Sequence, residues 1–341
     1  MAFIRKNSAE LMQLNEYLKY SKHPVIIPHE NPDGDAIGSA LAVYHILRLS
    51  HASPVVISPN NFPDFLKWMP GADSIIIANR RLNKAKELIA KADLIIYVDF
   101  NEISRMAELA PILQQSNAPV ILFDHHPNPA GTYSLVFHST EASSTAELIF
   151  ETFEKAGFSG KMNIEAAECL YAGIMTDTGS FNFNSSNAST FRVVSKLLKA
   201  GINKDDIFDK VYNNFSASRM RLLGYALNEK MTVLPPYKTA FISLSMKDLA
   251  DYNYVVGDTE GFVNYPLSVA GVRVSAIFIE RPDHIKISFR SKGSFPVNRF
   301  ASAYFNGGGH LNAAGGEYKG SLAEAIELFV KHISLQQDEI K

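Results

Sequence analysis

Residues 24–41 read PVIIPHENPDGDAIGSAL. The run from Pro24 to Pro28 is apolar throughout and too short for a helix, so it reads as a buried strand. From Asp35 to Leu49 the period changes, and Ile37, Leu41, Tyr44 and Leu47, or Ala40, Val43 and Leu47, share a helical face. Between strand and helix, His29, Asp33 and Asp35 crowd into seven residues beside Gly34 and Gly38. Carboxylates two positions apart beside an imidazole are electrostatically awkward unless something positive sits among them.

The same alternation extends outward. PVVIS (54–58), DSIIIA (73–78), DLIIYVD (93–99) and PVILFD (119–124) are further apolar runs separated by helical stretches. Continuous Val, Ile and Leu strands alternating with helices predict a parallel sheet covered on both faces. In such sheets ligands bind beyond the carboxyl ends of the strands. The polar residues fall there: His29 to Asp35 after the first strand, Asp99 at the end of DLIIYVD, and Asp124, His125 and His126 at the end of PVILFD. From about 143 to 230 the pattern is helical, interrupted by a loop at TDTGSFNF (176–183) that carries Asp177. The paired prolines of LPPYK (234–238) suit a linker. Past it, KTAFISL, GVRVSAIFIE and HIKISFRS read as strands, followed by glycine-rich FNGGGHLNAAGG (305–316) and a helix from Leu322 to Ile333. The expected division is 1–230 and 231–341.

Composition narrows the class. A chain of 341 residues with 46% hydrophobic and 20% charged residues reads as two globular domains, and its net charge of −2 excludes a globally polybasic nucleic-acid coat. An anionic substrate must then be held by a local site. The single cysteine, Cys169, cannot form an intramolecular disulfide, and it sits in what reads as a core helix. The start spaces Leu11, Leu14 and Leu18 like an amphipathic helix rather than a signal peptide. No stretch reaches the ~18 apolar residues of a membrane span. A soluble, cytoplasmic protein that does not bind membranes is expected.

Taken singly, Asp35 or Asp99 reads as a helix cap, Asp33 as a turn residue and His29 as a hydrogen-bonded side chain. Convergence on one rim changes the reading: His and Asp residues collected there repel unless metal resolves the charge. Mixed imidazole and carboxylate ligation, mostly carboxylate, favours Mn²⁺, with Mg²⁺ or Co²⁺ as the other candidates. The ligands are too many for one ion and enough for two, the usual device for in-line displacement at phosphorus.

HENPDGDAIGS, the Asp of VDFN, DHH with its preceding strand, and TDTGSF resemble the four motifs of the DHH phosphoesterase family. GGGHLNAAGG resembles its DHHA1 companion domain. The resemblance implies an α/β fold: an N-terminal parallel-sheet DHH domain with helices on both faces, a smaller C-terminal α/β DHHA1 domain, and an active site in the interdomain cleft. It implies one divalent ion held by His29, Asp33 and Asp99 and a second by Asp35, Asp99, His125 and Asp177, so that Asp99 bridges. His126 is then a catalytic group facing the scissile phosphate, with Asp124 orienting a neighbouring histidine.

Three successive glycines, Gly307 to Gly309, let backbone N–H groups approach an anion, and His310 and Arg290 add donors. In similar proteins the Arg of the FRS-like strand and the His of GGGH bind a substrate phosphate that is not cut. Gly308, Gly309, Arg290, Ser291 and His310 are therefore the expected substrate contacts, and Arg105 resembles an Arg seen at this place in relatives. Ser143, Ser144 and Thr145 are expected to cap the helix that follows, with Glu147 at capping-box distance from Ser144.

The implied activity is metal-dependent hydrolysis of very short oligoribonucleotides, of 3′-phosphoadenosine 5′-phosphate (pAp), or of both. The near-neutral charge agrees, since long strands would want a broad basic track. Hydrolysis of cyclic or linear dinucleotides is the alternative, and a non-catalytic nucleotide sensor comes third, opposed by the intact His126. The sequence leaves a homodimer open.

Overall fold

The apolar runs of the first half become strands β1 (Pro24–Pro28), β2 (Val55–Ser58), β3 (Ile76–Ile77), β4 (Leu94–Val98) and β5 (Val120–Asp124). A sixth strand, β6 (Leu135–His138), adds to them, and all pair in parallel in the order β3-β2-β1-β4-β5-β6. Alternate residues divide between the two faces. Ile26, Ile96, Val98, Ile121 and Phe123 pack into one core, and Val25, Ile27, Ile95, Tyr97 and Leu122 into the other. Because both faces are covered, the strands read as unbroken apolar runs. Strand β6 escaped that reading because only Leu135 and Phe137 turn inward while Val136 is exposed.

The computed structural model describes residues 9–340, apart from His51, Asn101 and Asn128 and the side chains of Ser104, Arg105, Ala107, Ser159 and Lys161. Helices of the first unit are α1 (Ala9–Tyr20), α2 (Gly34–Arg48), α3 (Leu82–Lys91), α4 (Ala110–Leu113), α5 (Thr145–Lys155), α6 (Ile164–Asp177), α7 (Ala188–Lys199) and α8 (Lys204–Tyr212). Leu11, Leu14 and Leu18 are the buried stripe of α1, and Cys169 is buried in α6.

The compact units part between Asn214 and Phe215 rather than near 231. Helix α9 (Ala217–Asn228) joins the second unit because Leu222, Leu223 and Ala226 pack with Ile242, Leu244, Ile277 and Ile279. LPPYK is not a linker. Strand β7 (Met231–Leu234) runs into a short turn at Pro235–Tyr237 and returns as β8 (Thr239–Leu244), antiparallel to it. Prolines cannot donate to a ladder, so a turn accommodates them as readily as a linker would.

The rest of this unit comprises α10 (Met246–Asp251), β9 (Val274–Glu280), β10 (Ile285–Ser291), α11 (Val297–Tyr304), β11 (Gly308–His310), β12 (Ala313–Tyr318) and α12 (Leu322–Ser334). Its mixed sheet runs β11-β12-β10-β9-β8-β7. One face is filled by phenylalanines, with Phe278 and Phe329 rings 5.4 Å apart and Phe289 and Phe305 equally close.

Candidate metal centre

Strand order reverses between β1 and β4, the position at which doubly wound sheets open a crevice. Pro28 pairs with Val98, so His29 and Asp99 leave the sheet at the same level, and His125 and His126 follow β5 beside them. His29 Nε2 lies 3.7 Å from Asp99 Oδ2. His125 Nε2 lies 3.6 Å from Asp99 Oδ1, 3.9 Å from Asp35 Oδ2 and 3.5 Å from Asp177 Oδ2. These separations exceed a direct N–H···O hydrogen bond and suit donors arranged about a shared cation. Nδ1–H of His29 donates to the Glu30 carbonyl at 2.7 Å, and that of His125 to the Ala142 carbonyl at 3.3 Å. A carbonyl only accepts, so each Nε2 presents its lone pair to the carboxylates.

Asp33 is the N-cap of α2, its Oδ1 accepting from Asp35 N at 3.0 Å and Ala36 N at 3.1 Å. The cap that the sequence offers to Asp35 falls to Asp33 instead. A carboxylate has a second oxygen, and Asp33 also gathers with His29 and Asp99, donor atoms within 4.8 Å. The glycines around it answer to packing. A Cβ at Gly38 would lie 2.5 Å from the Cys169 carbonyl, and one at Gly34 would collide with Thr176, so α2 and α6 touch backbone to backbone. That contact brings Asp35 and Asp177 together with His125 in a second group. Asp177 ends α6 instead of lying in a loop. A carboxylate in a last helical turn faces the negative end of the macrodipole, an arrangement that a cation relieves.

Burial pushes the Asp35 carboxyl well above its usual range, and the carboxylates of Asp99 and Asp177 push it further. Asp99 goes the other way: burial alone would raise it, but the imidazoles of His29, His126 and His125, when protonated in the metal-free chain, hold it below the usual range. Asp99 also adopts φ +66°, a left-handed conformation uncommon outside glycine and found at functional sites. Crowded carboxylates with imidazole lone pairs aimed among them fit a divalent cation.

His126 is placed differently from His125. Its Nδ1 hydrogen-bonds to Asp124 Oδ1 at 2.8 Å and stands 3.7 Å from Asp99 Oδ1. Asp124 Oδ2 is buried without a hydrogen-bond partner among the described residues. Asp99, Asp124 and His126 form a third group of donors, sharing Asp99 with the first.

In the second unit, Arg290 of β10 and His310 of β11 are both cross-strand partners of Ala313 in β12. Directly opposed residues project to one face of a sheet, so Arg290 and His310 flank a small alanine, their backbones about two strand spacings, ~9–10 Å, apart. Arg290 Nη1 donates to its neighbour's carbonyl, Phe289 O, at 2.9 Å. A Cβ at Gly309 would lie 2.6 Å from the Ala313 carbonyl, so the hairpin itself requires that glycine, whereas a Cβ at Gly308 would meet open space. Ser291 is buried, donating to Phe295 O at 2.7 Å and accepting from Asn312 Nδ2 at 2.8 Å, which makes it a brace for the turn. The side chain of Arg105 lies outside the described residues.

Residues 24–174 match the DHH family, N-terminal domain, and residues 239–336 match the DHHA1 domain. A Thermus thermophilus protein named bifunctional oligoribonuclease and PAP phosphatase NrnA is 30% identical, over 92% of this chain and 90% of its own length. The chain belongs to the DHH family. A Bacillus subtilis protein of the same name is 27% identical over 84% of this chain and 86% of its own. The crystal structure of an exopolyphosphatase-related protein from Bacteroides fragilis matches with a TM-score of 0.94 and 43% identity, covering 97% of each chain. As a DHH-family member the chain is a hydrolase acting on phosphate esters, and its acidic and histidine groups could bind metal. Among the described residues no helix is long and apolar enough to cross a membrane.

The partners of Thr145, Glu147 and His138 bear on the site in this DHH-family chain, although the sequence marks Thr145 and Glu147 only as parts of a helix cap. Asp35 takes backbone N–H groups from the start of α5, Thr145 N at 2.6 Å to Oδ2 and Ala146 N at 2.9 Å to Oδ1. Ser144 caps α5, accepting from Glu147 N at 3.0 Å, but Glu147 completes no capping box and turns instead to Ser143, Ser189 and Thr190. His138 Nε2 donates to the His126 carbonyl at 2.6 Å. SST before a helix and an isolated His in a short strand carry only local signals, and none of these long-range partners is visible in them.

Proposed function

We propose that the chain is a two-metal phosphoesterase that hydrolyses very short oligoribonucleotides and the 3′ phosphate of pAp. The observation that carries this reading is the position of Asp99, whose two carboxylate oxygens face different histidines, Oδ2 toward His29 and Oδ1 toward His125. His29, Asp33 and Asp99 would hold one ion, and Asp35, Asp99, His125 and Asp177 the other, with Mn²⁺ suited to the mostly carboxylate set. Divalent ions held there would supply the positive charge that phosphoryl transfer needs at the attacking water and on the phosphate oxygens.

The chain's own groups do the rest. Asp124 holds the Nδ1–H of His126, which orients the ring and leaves Nε2 to carry a proton to the leaving oxygen. Arg290 and His310 hold the phosphate that is not cut, and the open face of Gly308 lets backbone approach it. The names of the relatives from B. subtilis and T. thermophilus, matched over 86% and 90% of their own lengths, support this substrate class.

The test is a parallel measurement of kcat/KM, with Mn²⁺ present, on pAp, a linear dinucleotide, a five-residue RNA, cyclic di-AMP, pyrophosphate and inorganic polyphosphate. The reading requires that pAp or the short RNAs rank first. Cyclic di-AMP ranking first would favour the cyclic-dinucleotide alternative, and no turnover of any substrate would leave a nucleotide sensor.

A further inference from the structure

The carboxylates of the metal centre lie far apart in sequence, yet one residue touches two of them, Asp35 through its backbone N–H and Asp99 through its hydroxyl. Thr145 N donates to Asp35 Oδ2 at 2.6 Å, and Thr145 Oγ1 donates to Asp99 Oδ1 at 2.8 Å. We propose that Thr145 is a positioning residue that ties Asp35 to Asp99 and thereby sets the spacing of the two ions. The inference rests on the two-metal reading above and adds to it a residue that is not a ligand.

Capping does not account for the hydroxyl contact, because the N-cap of α5 is Ser144, whose own oxygen accepts from Glu147 N. Nor does sequence proximity, since 110 residues separate Thr145 from Asp35 and 46 separate it from Asp99. An ionised carboxylate only accepts, so the single hydroxyl proton of Thr145 is committed to Asp99. Hydrogen bonds to ionised groups are the stronger kind and fix geometry as well as energy.

Thr145 is itself held from behind. Ser143, Ser144 and Thr145 are all fully buried, and so is Glu147 one turn on. Glu147 accepts from Ser143 N at 3.0 Å, Ser143 Oγ at 2.5 Å, Ser189 Oγ at 2.5 Å and Thr190 Oγ1 at 2.8 Å. The segment entering α5 is thus fastened to α7. A buried carboxylate satisfied by four donors gives a rigid anchor, and that rigidity is passed to Thr145 through the intervening backbone.

Partners that orient metal ligands typically change metal affinity about 10- to 100-fold when removed. Thr145→Val deletes the hydroxyl at nearly constant volume, and Thr145→Ser keeps it. Metal-free parent and variants would be titrated with Mn²⁺ while the electron paramagnetic resonance signal of the free ion is followed, with circular dichroism confirming the fold. The parent is expected to bind two ions, Thr145→Val to bind them about 10- to 100-fold more weakly, and Thr145→Ser to match the parent. Thr145→Ala carries the same comparison should the valine variant not fold. Parental affinity in the hydroxyl-free variant would overturn the proposal, as would equal losses in the valine and serine variants. A parent that binds fewer than two Mn²⁺ would overturn the two-metal reading and this proposal with it.

Discussion

The Nδ1–H of His126 donates to Oδ1 of Asp124 across 2.8 Å, whereas His125, one residue earlier, aims Nε2 among Asp35, Asp99 and Asp177. Adjacent histidines therefore have different work. His126→Ala should still bind two Mn²⁺ and lose ~10²–10⁴ in kcat, the range for removing a general acid. Metal analysis and steady-state kinetics on the same sample decide it: metal lost with activity would make His126 a ligand.

Gly173 of α6 faces the site. A Cβ there would stand 2.8 Å from Ala146 Cβ and 2.9 Å from Asp35 Oδ1. Gly173→Ala should destabilise the fold by about 1–3 kcal/mol, the usual cost of overpacking. It should also weaken Mn²⁺ binding, because it presses on a ligand. Gly38→Ala, pressing on the Cys169 carbonyl instead, should cost similar stability. Urea unfolding checks both, and an unchanged midpoint would contradict the close approach of α2 and α6.

The pH dependence follows from Asp35. Its folded-state pKa is raised above the ordinary 3.8, chiefly by burial, so its contribution to the stability of the metal-free chain is complete below 3.8. That contribution is lost as pH climbs through the raised value. Asp99, lowered in the fold, contributes in the opposite sense: its stabilisation is present above its unfolded value and lost in acid. Metal binding requires ionised Asp35. The rise in Tm on adding Mn²⁺ should therefore grow from mildly acidic to neutral pH, measured by scanning calorimetry. A gain that shrinks over that range would contradict the assignment of Asp35 as a ligand.

Arg290 and His310 flank Ala313 on one sheet face, in a row suited to holding a phosphate. Losing a charge-assisted hydrogen bond costs about 1.5–3 kcal/mol, or ~10- to 150-fold in kcat/KM. Arg290→Ala and His310→Ala should each lose that much on pAp or a dinucleotide. Bis-p-nitrophenyl phosphate, which has no second phosphate, should be cleaved nearly as well by the variants as by the parent. Equal losses on both substrates would move these residues to the reacting centre or to the support of the fold.

What the sequence discloses here depends on how local the cause is. Strands β1, β2, β4 and β5 are legible because burial on both faces leaves an unbroken apolar run, and their carboxyl ends then place His29, Asp99 and the DHH triplet on one rim. Edge strand β6 is half exposed and four residues long, so its signal is too thin. LPPYK shows prolines, and prolines mark a turn and a linker alike. The donors on Asp35 and Asp99 come from Thr145, across 110 and 46 residues, and a distance of that kind leaves no periodic trace. The glycines of DGDAIG could be read only as permissive, while the structure shows Gly38 to be required by the Cys169 carbonyl.

Asp99 is proposed to lie between two ions. Anomalous diffraction at the manganese edge from crystals loaded with Mn²⁺ tests it most directly. Two peaks ~3.5–4 Å apart are expected, one against His29, Asp33 and Asp99 and the other against Asp35, Asp99, His125 and Asp177. A single peak, or two peaks that do not share Asp99, would contradict it.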